Sequence, residues 1–146
     1  MGKKLVMRNP ERFQDWPLRL EKYIASARAE AFVWGRSDCL HFAFGVVEAL
    51  TGRDLVGEMG GSGQYGEADA AAQLEKYFGG DLAAIADSVL PRGRLAFARR
   101  GDIVLFTARD LTAFGILDNT GRQAAARTAS GIALIPARYI TASWEV

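Results

Sequence analysis

A chain of 146 residues, 49% of them hydrophobic, has the length of one domain and enough apolar material to bury a core. Its net charge of +1 argues against an extended nucleic-acid footprint, and no apolar run reaches the roughly 18 residues of a membrane span. One cysteine permits no internal disulfide, so the fold must rest on its core alone.

The opening stretch "MGKKLVMRNPERF" has basic residues with no apolar segment behind them, so no signal peptide is expected. Val6 stands where a myristoylation signal needs Ser or Thr. Asn9 and Pro10 predict a helix start, and Phe13, Leu20, Ile24 and Ala27 recur at helical spacing through about Glu30, with a bend or restart at Pro17. A second helix is predicted from Ser37 or Asp38, either of which can cap it, to Thr51-Gly52. Its run "CLHFAFGVVEAL" is apolar on nearly every side, which places it at the centre of the domain. Residues 52–66 read as a glycine-rich loop, Ala68 to Tyr77 as a third helix, and Leu82 to Val89 as a short fourth one.

From Gly101 the pattern changes. The runs "DIVLF", "LTAFGIL", "RQAAAR", "GIALIP" and "ASWEV" are separated by Arg-Asp, Asn-Thr-Gly and Ser-Gly turn signals. They predict a mostly antiparallel sheet of about five strands, and helices followed by strands predict an α+β domain. The organisation expected is one domain over 1–146. Residues 1–30 form an N-terminal helical segment, 31–90 helices and the glycine-rich loop, and 91–146 the sheet.

Chemistry centres on "FVWGRSDCLHFAF", residues 32–44, which holds the chain's only cysteine and only histidine. Cys39 falls in the first turn of the second helix, where the helix dipole favours the thiolate. A lone cysteine can equally be a small buried hydrophobe. His41 is a poor partner for it, because residues two apart on a helix point about 200° from each other. It is expected to be structural, paired with Glu48 or with solvent. No second histidine exists to supply a base from across a cleft, so the two scarce residues do not make a dyad.

The same stretch resembles the nucleophile segment of NlpC-type cell-wall peptidases, in which an aromatic-x-x-Gly turn leads to Asp-Cys at the head of a central helix. Phe32, Trp34, Gly35, Asp38 and Cys39 occupy the matching places. "RRGDIVLF" resembles that family's Gly-Asp-Leu-Val strand, and "TAFGIL" its His-Val-Gly-Ile strand. "TGRD", Gln64-Tyr65-Gly66 and "ASWEV" extend the likeness, from about residue 30 onward, to a divergent branch found in bacteriophage and prophage tail modules.

The resemblance implies a papain-like fold, with a Cys-bearing central helix packed on the sheet. It also implies a binding surface including Trp34, Asp38, Tyr65 and Trp144. Where the active enzymes carry their histidine base, this chain has Ala113. A positioned base contributes about 10²–10⁴-fold, and in a Cys–His pair it also stabilises the thiolate. The resemblance therefore implies a degenerate domain. On that reading Cys39 is expected to be a vestigial nucleophile, or in the alternative reading a working one. The protein is expected to be a structural or interaction component of a phage tail tip or baseplate, made in the bacterial cytoplasm and carried in the virion. Other tail proteins are its expected partners, with peptidoglycan a second candidate. The alternative is an active cysteine endopeptidase or amidase on peptidoglycan.

Three features carry less. "GSGQYG", residues 61–66, fits a dinucleotide fingerprint but follows no strand in a βαβ unit. Arg92, Arg94, Arg99 and Arg100 flank a strand as solvated charges by default, and Trp144 is a core residue by default. One His and one Cys on opposite helix faces make no ligand set, so neither a metal nor another cofactor is expected.

Overall fold

Helix α1 starts late because of Pro17. In the computed structural model, which describes residues 9–31, 38–58, 82–109, 111–128 and 130–146, α1 spans Trp16–Arg28 with the proline in its first turn. The missing N–H of proline costs nothing there, so the restart holds and the predicted start at Asn9-Pro10 does not. Leu20, Ile24 and Ala27 are the buried face of α1, as their spacing predicted.

Helix α2 spans Cys39–Thr51. Asp38 caps it by accepting the His41 backbone N–H at 3.0 Å, and Gly52 ends it with φ at 82°. Between them Leu40, Phe42, Ala43, Phe44, Val46, Val47 and Leu50 are all buried. Close packing of α1 on α2 depends on Gly45. A β-carbon there would lie 2.2 Å from the Tyr23 hydroxyl, which instead reaches the Phe42 carbonyl at 2.8 Å. The predicted loop from residue 52 contains a short helix, α3, Leu55–Glu58, which anchors Leu55 in the core. The helix predicted over 68–77 lies outside the described residues. Helix α4 is Leu82–Val89, as predicted.

The sheet is wholly antiparallel, with six described strands rather than about five. They are β1 (Arg92–Gly93), β2 (Ile103–Ala108), β3 (Leu111–Leu117), β4 (Gln123–Thr128), β5 (Gly131–Pro136) and β6 (Ile140–Trp144), in the order β1-β6-β2-β3-β4-β5. A two-residue strand has no period to read, so β1 exists only through its pairing with β6.

The sheet's alternation divides the apolar residues. Ile103, Leu105, Phe114, Ile116, Ala125 and Trp144 join the helices in the main core. Val104, Phe106, Ala113, Leu117, Ala124, Ala126 and Ile140 form a second cluster. The architecture is α+β, and no helix among the described residues is long and apolar enough to cross a membrane.

The sequence "RRGD" shapes the entry to β2. Gly101 has φ at 89°, a region unfavourable to side chains, and a β-carbon there would come within 2.8 Å of Leu50. Asp102 follows, buried, and joins distant parts of the chain. It accepts from Arg12 Nη2 at 3.0 Å, from the Arg99 N–H at 2.9 Å and from the Val146 N–H at 3.1 Å.

Candidate functional site

Cys39 sits at the first position of α2, where the sequence placed it, and burial there opposes the pull of the helix dipole on its thiol. Burial, reinforced by the neighbouring Asp38 carboxylate, pushes the thiol up to about 11 from an ordinary value of 9.0. The backbone N–H of Phe114 approaches the sulfur and favours the thiolate, as the helix end does, yet burial wins. The side chain packs against the second apolar cluster, which includes Ala113 and the alanines Ala124 and Ala126. Nothing in that cluster can accept a proton.

Asp38 has 0% exposure, and its carboxylate is engaged in holding the helix. The same Oδ1 that accepts the His41 backbone N–H also accepts from the ring Nδ1 at 2.8 Å. A carboxylate only accepts, so Nδ1 carries the proton. This corrects the expected pairing of His41 with Glu48 or solvent. His41 is buried, and its partner is the cap three residues earlier. The spacing Asp-x-x-His at a helix start was the signal, a relative of the capping box that counting helix faces overlooks.

These values predict a sluggish thiol. A rise of two pH units lowers the thiolate fraction at pH 8 about 100-fold. Iodoacetamide should therefore alkylate Cys39 in the folded protein about 100-fold more slowly than in the urea-unfolded chain. The rate should also climb about tenfold per pH unit between pH 7 and 9.5. A plateau near neutral pH would instead reveal an activated thiolate.

Of the other candidate residues, Trp34 and Tyr65 lie outside the described residues. Trp144 is fully buried, stacked edge-on against Phe114 at 6.0 Å, with its indole N–H donated to Asp87 Oδ1 at 2.9 Å. It has no face to offer a partner. Arg92, Arg94, Arg99 and Arg100 are all exposed, as the default reading has them, and several also make contacts within the chain. Arg92 forks onto Asp87, Arg99 reaches the Val146 carbonyl, and Arg100 lies over the Trp16 ring.

Residues 11–146 match the family described as Domain of unknown function (DUF6950). The chain belongs to the DUF6950 family. No curated protein matches the sequence.

Among the described residues of this DUF6950 domain, Cys39 lines neither of two cavities that open on the surface. The larger, about 500 Å³, lies between residues 9–16 and the segment carrying Phe97, Arg99 and Val146. The smaller, about 110 Å³, lies at the head of α2 beside His41. Among the described residues no group of three or more His, Cys, Asp or Glu is placed to hold a metal ion.

Proposed function

We propose that this chain is a catalytically degenerate papain-like domain that acts by binding other proteins, as a component of a bacteriophage tail tip or baseplate. The environment of Cys39 carries the reading. A nucleophile of this kind needs a lowered thiol pKa and a base within reach. Here the thiol is pushed up to about 11, and it packs against a cluster that has Ala113 where the resembled enzymes carry histidine. The order of helices before an antiparallel sheet is compatible with a minimal papain-like fold. The tail assignment rests on the ordered motifs from "FVWGRSDC" to "ASWEV".

Purified protein is expected to cleave peptidoglycan fragments no faster than its Cys39→Ala variant. In a phage that encodes it, Cys39→Ala should still give infectious particles with normal tails, whereas deleting the gene should abolish tail assembly or infection. Turnover that disappears in Cys39→Ala would establish a cysteine peptidase or amidase instead. A folded, particle-bound Cys39→Ala protein as defective as the deletion would also overturn the reading, because the thiol would then be needed for something chemical.

A further inference from the structure

The smaller cavity holds a buried charge that no ion pair among the described residues compensates. Its wall is built by Tyr23, Ser26 and Ala27 from α1, Glu30 just beyond it, His41 from α2 and Arg127 from β4. Arg127 lies two residues beyond Ala125 on the strand, so it projects from the same face of the sheet toward the helices. It is only 4% exposed. Its Nη1 donates to the Ala27 carbonyl, and its Nε is buried with no hydrogen-bond partner among the described residues. None of the ion pairs among the described residues includes it.

A guanidinium cannot shed its charge, and a buried, unpaired one is among the costliest groups a core can hold. Proteins rarely keep such a group without a counter-ion. The Asp38 carboxylate is already engaged by His41, and Glu30 is exposed at the mouth, where solvent screens it.

With Nη1 tied to Ala27 and Nε closed off from solvent, Nη2 is the guanidinium nitrogen left to take a ligand. Its N–H groups give charge-assisted hydrogen bonds, which suit the oxygen of an anion. The volume of about 110 Å³ corresponds to about four waters, enough for a carboxyl group and its substituent and too little for a nucleotide. The Ser26 hydroxyl adds a second donor on the wall.

We propose that the pocket between α1, α2 and β4 binds the carboxylate of a small ligand on the Arg127 guanidinium, at Nη2. This site is separate from Cys39 and does not depend on the tail assignment. The ligand's carboxylate can belong to a free organic acid or to the end of a peptide.

His41 provides the readout, because a single histidine gives a single set of imidazole proton resonances and this one lines the pocket. At fixed pH and ionic strength, acetate should move the His41 resonance along a saturable curve with a midpoint on the order of millimolar. Acetamide, its neutral counterpart, should leave the resonance in place. Arg127→Met, checked for folding by circular dichroism, should need at least tenfold more acetate. N-acetylalanine binding more tightly than acetate would assign the ligand as a peptide end, and equal binding a free acid. A non-saturating drift, or the same response to acetate and acetamide, overturns the proposal. Should Arg127→Met fail to fold, the contrast between acetate and acetamide in the natural protein still decides it.

Discussion

Replacing Trp144 with alanine is expected to destabilise the domain by about 3–5 kcal/mol, the range for emptying a fully buried aromatic site. Trp144 is 0% exposed and lies where three parts of the fold meet. Its backbone pairs with Arg92 of β1 and Ile103 of β2, and its ring meets Phe114 edge-on. Its N–H donates to Asp87, whose carboxylate also receives the Arg92 guanidinium. Alanine would leave a cavity and take one donor from Asp87. Phenylalanine keeps most of the ring and loses only the N–H, so Trp144→Phe should fall between the natural protein and Trp144→Ala. Urea unfolding followed by circular dichroism measures both. Against a typical total of about 5–15 kcal/mol, the alanine variant would lie near the limit of folding. A loss under about 1 kcal/mol would mean that the indole is not in the core.

Asp102→Ala should be about as damaging, by a different mechanism. Asp102 and Arg12 have side chains only 4% and 5% exposed. Arg12 also donates to the carbonyls of Val146 at 2.9 Å and Arg100 at 2.7 Å. Burial and the neighbouring Arg99 bring Arg12 down to about 10, so it remains charged at neutral pH. Removing the carboxylate strands that charge and two backbone N–H groups, and breaking a buried pair costs about 3–5 kcal/mol. Replacing both partners, as Arg12→Met with Asp102→Leu, should recover much of the loss, because neither charge then needs a partner.

The pair also sets a pH dependence of unusual sign. Burial raises the Asp102 pKa above 3.8, outweighing its hydrogen bonds and the pull of Arg12. The folded state therefore holds this proton more tightly than the unfolded state. Its contribution to stability is present at low pH and is lost as pH rises through the folded pKa. In Asp102→Asn that opposing contribution is absent, so stability should climb more steeply with pH just above 4 than in the natural protein. Urea titrations at successive pH values test this. A shallower climb would show that the carboxylate is stabilised as an anion.

Local rules carried far in this chain. Asp38 and Gly52 delimit α2 because cap preferences act within a few residues, and the short apolar runs from Ile103 onward, bounded by turn signals, became strands buried on both faces. Even the Asp38–His41 bond was written in the spacing, although helix-face geometry pointed elsewhere. What escaped the sequence was whatever depends on distant residues meeting. The Arg12–Asp102 pair spans ninety positions, and β1 exists only because β6 lies beside it.

Arg127 reads as the polar end of an alanine-rich strand. Only the packing of α1 and α2 on the sheet turns it inward and leaves its Nε without a partner among the described residues. Cys39 shows the division most clearly. The helix dipole that would activate its thiol is a property of local sequence, and the burial that suppresses it is a property of the assembled core. Removing a charge from water costs more than one helix end returns, so the tertiary structure decided the state of the thiol.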